Sequence, residues 1–283
     1  MKVLITGGEG QLGRAFRDSL EGAALVTALG KEELDVACRT RVYAVIKAEK
    51  PDLILHCAAL TNVDECERNP KRALTINGHG PAYVAKAAFD VGARFLYISS
   101  DYIFHRNEHS PVEIDDLPTP VSVYGASKWI GEQLALKQDP HAYIVRTAWL
   151  YGGGKSDFVN KVIGKIKREE RLEVVTDQAG SPTYVNDFVT TCLKLLEHES
   201  GIYHLTNQGC VSRYELTQAI AELYRYDLKL LSPVRTASTK GVATRPMRTE
   251  LSLRSLDEKG IERPRYWYEA LQQYINEELD DDV

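Results

Sequence analysis

No Cys-x-x-Cys pair occurs among the five cysteines of this chain, Cys38, Cys57, Cys66, Cys192 and Cys210. They are scattered and odd in number, which argues against a zinc site and for free thiols in a reducing compartment. No apolar run approaches the ~20 residues of a membrane span. The opening Met1-Lys2-Val3-Leu4-Ile5-Thr6-Gly7 is too short for a signal peptide and is broken at once by glycine. A cytoplasmic protein with no membrane partner is expected. An excess of basic charge is lacking too: 40 acids against 35 bases leave a net charge of −5, and no basic stripe marks a nucleic-acid surface. Part of the acidic excess is the terminal run Glu277, Glu278, Asp280, Asp281 and Asp282, which reads as a solvated or frayed end. Histidines and carboxylates show no metal-ligand spacing, so no metal is predicted, and His56 reads as a buried strand histidine. Internal repeats and low-complexity segments are absent.

What is present is the pattern of an α/β protein. With 283 residues, 43% hydrophobic and 27% charged, the chain can build one large domain and a smaller lobe. Apolar runs at 2–6, 24–29, 53–57, 94–99 and 142–147 read as buried strands. Segments 11–20, 39–50, 73–91 and 122–137 read as helices between them, with Pro81 at a start or kink. Such alternation predicts a parallel sheet covered on both faces, with ligands at the strand C-terminal ends. After about residue 150 the pattern loosens. Helices are expected at 157–170, 186–197, 213–224 and 265–279, a strand at 202–205, and irregular chain over 232–250. The boundary is placed at 1–150 for a dinucleotide-binding Rossmann domain and 151–283 for a smaller C-terminal substrate lobe, with some segments returning to the sheet.

Gly7, Gly10 and Gly13 follow the first strand and open a helix. That is the setting in which glycines let backbone approach a pyrophosphate, and in which a helix N-terminus offers free N–H groups. The spacing is one residue longer at the first gap than G-x-G-x-x-G, and a purely structural turn is the alternative. No acid stands beside Leu29-Gly30-Lys31, where the second strand ends, to take a ribose 2′-hydroxyl. Lys31 or Arg14 can instead meet a 2′-phosphate, so NADPH is the expected cofactor, with NADH as the alternative. Lys31 is equally an ordinary surface lysine. Asp35-Val36 is a helix cap or lies under an adenine. Ala58-Ala59 are small enough for a cofactor to pass over the sheet edge, or simply pack tightly.

Tyr124 and Lys128 stand four residues apart, on one helix face. An ammonium beside a phenol lowers a pKa of about 10 towards neutrality, which suits a group that protonates a new alkoxide. Lys128 can also hold nicotinamide ribose hydroxyls. Alone, the pair is an unremarkable helix surface; beside a glycine loop it points to nicotinamide-dependent reduction. Ser99-Ser100-Asp101-Tyr102 ends a strand at the ligand edge, where a hydroxyl can polarise a carbonyl or merely form a turn. Trp149 can stack on a flat ring or fill the core.

These residues, with Glu33-Leu-Asp-Val36, Thr61-Asn-Val-Asp64, Ser100-Asp-Tyr-Ile-Phe104, Arg146-Thr-Ala-Trp149 and Asp177-Gln-Ala-Gly-Ser-Pro-Thr183, resemble the extended short-chain dehydrogenase/reductases. Within them the chain is similar to the dTDP-4-dehydrorhamnose reductases, over nearly its whole length. The resemblance implies NAD(P)H-dependent reduction of the C4 ketone of a dTDP-sugar, with Tyr124 as proton donor, Lys128 as its activator and Ser100 as carbonyl partner. It implies cofactor contacts from Gln11, Leu12, Ala58, Ala59 and Leu60, which join Gly7, Gly10, Gly13, Lys31, Asp35, Val36, Ser99, Tyr124 and Lys128 as the expected cofactor site. The sugar nucleotide would meet Val63, Ser100, Asp101, Tyr102 and Trp149. A homodimer stays open. Three departures stand out: Ser100 where threonine is commoner, His105-Arg106 at the pocket rim, and Ala15 where some members carry a metal-associated glutamate. A dehydratase is disfavoured because Asp101 is followed by Tyr102 and not by a second acid. An epimerase and a non-catalytic dinucleotide-binding subunit remain as rivals.

Overall fold

A computed structural model describes residues 1–106, 110–154, 157–238 and 241–280; Asp281 and Asp282 of the acidic end lie outside them. In chain order the first half runs β1 (Lys2–Thr6), α1 (Gln11–Ser19), β2 (Leu25–Leu29), α2 (Arg39–Glu49), β3 (Leu53–His56), α3 (Val63–Arg68), α4 (Pro70–Ala73), α5 (Gly80–Val91), β4 (Arg94–Ser100), α6 (Val123–Gln138) and β5 (Tyr143–Thr147). The second half adds β6 (Leu150–Tyr151), α7 (Phe158–Ile166), β7 (Leu172–Val175), β8 (Ala179–Gly180), β9 (Thr183–Tyr184), α8 (Val185–Leu195), β10 (Gly201–His204), β11 (Val211–Ser212), α9 (Arg213–Leu223), β12 (Leu231–Val234), α10 (Arg254–Glu258) and α11 (Trp267–Asp280).

Six strands form the central sheet in the order β10-β5-β4-β3-β1-β2, and every pair is parallel. This is the doubly wound α/β arrangement that the alternation of strands and helices predicts. After β2 the chain returns past β1 to reach β3, so the loops following β1 and β3 leave in opposite directions. The crevice between them is the switch point where such sheets bind ligands.

Strand side chains alternate between two cores, as a period of two requires. Val3, Ile5, Leu53, Leu55, Leu96, Ile98 and Val145 face one layer; Leu4, Ile54, Phe95, Tyr97 and Ile144 face the other. The first layer unites both halves of the chain. Phe16 of α1 meets Phe188 of α8 edge-on, with ring centroids 6.4 Å apart, and β10 pairs with β5.

The helical stretch before β4 is continuous through a π-helical turn, Leu74–His79. Pro81 has no N–H to offer the Asn77 carbonyl. That carbonyl instead accepts from the Tyr97 hydroxyl at 3.2 Å. Pro81 thus marks a local change of helix type, not a break. Asp35 is not the cap of α2: the N-cap position is Cys38, and the Asp35 carboxylate accepts from Ala37 N at 2.9 Å in a tight turn. The region 232–250 is irregular for most of its length but opens in β12, which pairs with β7. Glu277, expected to be solvated, accepts from the Tyr184 hydroxyl at 2.7 Å.

Candidate active site

Two adjoining cavities open at the C-terminal edge of the sheet. One, of about 450 Å³, is lined by Gly7, Gly10, Gln11, Leu12, Gly13, Lys31, Asp35, Val36, Ala58, Ala59 and Leu60. The other, of about 350 Å³, is lined by Val63, Ser99, Ser100, Asp101, Tyr102, Tyr124, Lys128, Trp149 and Arg213, among others. Gln11, Leu12, Cys57, Ala59, Thr61 and Leu150 line both. Apart from Arg14, every residue named from the sequence as a cofactor or substrate contact therefore borders one of two joined spaces.

The glycine cradle is built for close approach. Gly7 has φ +68°, and a Cβ there would come within 2.7 Å of Ala58 N. A Cβ on Gly13 would strike the Gly7 carbonyl. The first turn of α1 contains no acid, and its N-cap Gly10 makes no side-chain cap. The helix dipole and its free N–H groups are thus left for an external anion.

At the end of β2, the tertiary structure corrects the reading that no acid is present. The Glu9 carboxylate lies against Gly30, and Glu33 accepts from Gly30 N at 2.8 Å. Both acids are removed in sequence from the tripeptide at the strand end. Lys31 borders the first cavity and also a neighbouring space lined by Arg68, Lys71 and Arg72. Arg14 is turned elsewhere, donating to the carbonyls of Glu9 and Gly153.

In the second cavity Tyr124 and Lys128 project from α6. Ser122 caps that helix by accepting from Gly125 N at 3.2 Å, and Glu67 of α3 accepts from Val123 N at 3.0 Å. Ser100 donates to Asp101 Oδ1 at 3.0 Å and accepts from Tyr102 N at 3.2 Å. Burial raises the Tyr124 phenol above its usual pKa, opposed by a hydrogen bond with Ser100. The expected lowering by Lys128 is therefore overruled. The ammonium is itself almost wholly buried, which brings its pKa down to about 7, countered mainly by Glu132. It donates to the Ile98 carbonyl at 2.7 Å and lies 4.2 Å from the Tyr97 ring centroid. Burial also lifts Asp101 to about 6, against hydrogen bonds from Thr249 and Ser100.

A phenol held in its protonated form is the right starting state for a proton donor. Its conjugate base then needs the Lys128 charge. If Lys128 acts as the ammonium, as the resemblance implies, kcat/KM for reduction should fall as pH rises through about 7. A pH–rate profile checks this, and Lys128→Met should lose that limb along with most activity.

Other predicted residues take more specific parts. The Ser99 hydroxyl is donated to Glu132, so it braces the site from below. One face of Trp149 is covered by the Arg213 guanidinium, 3.5 Å from the ring centroid. His56 is wholly buried and shares a 2.7 Å hydrogen bond with Thr6; burial lowers its pKa to about 3. His105 and Arg106 line neither cavity.

Arg213 and Asn77 are the functional candidates that the sequence did not reveal. Arg213 reaches the second cavity from α9, stacked between Trp149 and Phe158. Among the described residues no acceptor takes a hydrogen bond from its guanidinium. Asn77 is wholly buried; it pairs with both polar groups of the Leu60 backbone and donates to Ser127 at 3.1 Å. It thus ties the cofactor cavity to α6. Neither residue lies in a recognisable motif, and their partners are distant in sequence.

The RmlD substrate binding domain family matches residues 1–279. The chain belongs to that family. It is 39% identical to the spore coat polysaccharide biosynthesis protein SpsK of Bacillus subtilis, over 98% of this chain and 97% of that one. It is 36% identical to a dTDP-4-dehydrorhamnose reductase of Mycolicibacterium smegmatis, over 97% of this chain and 85% of that one. Among solved structures, a dTDP-4-dehydrorhamnose reductase from Bacillus anthracis, in complex with NADP, superposes with a TM-score of 0.94. It is 34% identical and covers 98% of this chain and 99% of its own. A dTDP-4-dehydrorhamnose reductase from Clostridium acetobutylicum also gives 0.94, at 37% identity and with 98% and 99% coverage. No helix among the described residues of this family member is long and apolar enough to cross a membrane.

Proposed function

We propose that the chain reduces the C4 ketone of dTDP-4-dehydro-L-rhamnose to dTDP-L-rhamnose at the expense of NADPH. The observation that carries this reading is the meeting of Tyr124, Ser100 and Lys128 in a cavity that joins the glycine cradle. The cofactor fits the residues present: a Cβ-free turn at Gly7 and Gly13, an uncapped helix N-terminus, and small residues at Ala58 and Ala59. A bound reduced nicotinamide supplies the hydride. Ser100 holds the carbonyl oxygen, and Tyr124 delivers its proton to that oxygen as it becomes an alkoxide. Lys128 stabilises the resulting phenolate, which regains its proton from solvent. Elimination would need a further acid beside Asp101, where Tyr102 stands.

Val63, Asp101, Tyr102 and Trp149 form the sugar side of this reading. Arg213, whose charge acts on Asp101 but whose guanidinium has no hydrogen-bonded acceptor among the described residues, takes the substrate's diphosphate. Residues 151–283, read as the mainly substrate-binding part, contribute Arg213 to this side and return β10 to the sheet. The nucleotide cofactor, the nucleotide-sugar substrate and the five free cysteines suit the cytoplasm. A homodimer is the assembly to be weighed by sedimentation.

The direct test is to mix the protein with NADPH and the ketosugar nucleotide, follow the reduced-nicotinamide absorbance and identify the sugar formed. Catalytic loss of signal with a 4-hydroxy product is expected. Cofactor binding without turnover would indicate a regulatory subunit, and turnover of the sugar without net oxidation an epimerase. Lys31 should favour NADPH through its 2′-phosphate. Lys31→Ala is expected to raise KM for NADPH about tenfold, the value of one charge-assisted contact of ~1.4 kcal/mol, while leaving KM for NADH unchanged. A strong NADH preference in the native enzyme would contradict this assignment.

A further inference from the structure

The short helix α3 makes polar contacts at both ends that neither the glycine cradle nor the Tyr/Lys pair accounts for. Asp64, in its first turn, accepts from Val242 N at 3.1 Å and from Ala243 N at 2.9 Å. It also takes the Arg245 guanidinium in a two-pronged pair at 2.9 and 3.0 Å. These four donors hold the Asp64 carboxyl well below the usual carboxylate range, the hydrogen bond from Arg245 contributing most. The segment so anchored continues to Met247 and Thr249, which bond across to the Ala179 backbone. Thr249 then donates its hydroxyl to Asp101. None of residues 242–249 lines the catalytic cavity. This strap therefore acts through what it touches, namely Asp101, which accepts from Thr249, and Asp64, the neighbour of Val63 in α3.

One turn further along α3, Glu67 accepts from Val123 N, the residue before the phenol. The N–H at the start of a helix has no partner within the helix, and a carboxylate there also complements the dipole. Tyr102 completes the connection. Its ring meets that of Tyr124 edge-on, with centroids 5.4 Å apart. A Cβ at Gly125 would collide with the Tyr102 carbonyl, so α6 is seated directly on this backbone.

We propose that Asp64 and Glu67 are positioning residues for the reduction. Glu67 sets the entry of the proton-donor helix, and Asp64 draws the 242–249 strap against the sugar side of the same cavity. The two actions are joined because both acids stand on one rigid helix. This proposal rests on the reductase reading.

The experiment compares Glu67→Ala, Glu67→Gln and Asp64→Asn with the native enzyme, using NADPH and the ketosugar nucleotide. Glu67→Ala should lower kcat at least tenfold, since misplacement by about 1 Å can cost as much as 10²-fold. Its NADPH dissociation constant, read by nicotinamide fluorescence, should stay within twofold. Glu67→Gln keeps an acceptor for Val123 N–H and should return kcat to within about threefold of native. Asp64→Asn loses the ion pair and should raise KM for the sugar nucleotide severalfold with kcat and NADPH binding little changed. A purely structural role would lower the melting temperature without this division between kcat and KM. Equal effects of the Ala and Gln variants at position 67, or an unchanged sugar KM in Asp64→Asn, would overturn the proposal. If Glu67→Ala does not fold, the sugar KM of Asp64→Asn decides the matter. Failure of the native enzyme to turn over the ketosugar would instead count against the reductase reading.

Discussion

Tyr124→Phe is expected to cut turnover of the ketosugar by ~10²–10⁴-fold, the usual worth of a positioned general acid. The ring stays, so its edge-on contact with Tyr102 and the packing of α6 should survive. The hydroxyl alone is removed. Binding of NADPH should change little, because the glycine cradle belongs to the other cavity. Stability should change little, since among the described residues the hydroxyl itself has a hydrogen bond with Ser100 alone. Steady-state kinetics paired with cofactor titration checks the result. Turnover at the native rate would refute the assignment of Tyr124 as donor.

Arg146→Met is expected to produce the largest loss of stability. Arg146 of β5 and Glu132 of α6 form an ion pair buried to 3% and 0% exposure. The guanidinium donates to the carboxylate at 3.0 and 2.8 Å and to the Ile114 carbonyl at 3.1 Å. Ser99 of β4 adds its hydroxyl to the same carboxylate. Removing the cation leaves a buried carboxylate with too few donors, which typically costs ~3–5 kcal/mol. For a chain of this size that corresponds to a fall of roughly 5–8 °C in melting temperature. The double variant Arg146→Met with Glu132→Leu should recover part of the loss, because no charge is then stranded. Thermal denaturation of the single and double variants tests this. Additive losses in the double variant would show that the pair is not energetically coupled. Activity of the double variant should fall as well, since it lacks Glu132, the neighbour that favours the Lys128 ammonium.

The elements legible in the sequence are those with enough length for a period to show. β1, β3, β4 and β5 are apolar runs bounded by turn or helix signals. Helices α1, α2, α6 and α9 carry their caps or stops nearby, as with Ser122 before α6 and the capping box of Ser212 and Glu215 before α9. Strands β6, β8, β9 and β11 have two residues each, too few for alternation to register. Helix α3 has six residues and appears in sequence only as a polar stretch. Pro81 announced a start or kink, but not that the helix continues through a π turn, because the partner of the freed Asn77 carbonyl is Tyr97, distant in sequence.

Chemistry behaved in the same way. The glycine loop and the Tyr124/Lys128 pair are local motifs, readable because their members sit within one turn or loop. Asn77, Arg213 and the Glu132–Arg146 pair depend on contacts between distant segments, and no spacing announces them.

By itself the amino-acid order determined the alternation of strand and helix, the phosphate-binding turn and the phenol–ammonium pair, because each is set by neighbours along the chain. Only the tertiary structure decided which protonation states those groups adopt. Burial is a property of the surroundings, and it raised Tyr124 and lowered Lys128 where spacing alone predicted the phenol to be lowered. It also decided what stands at the end of β2, where folding brings Glu9 of the glycine loop against Gly30.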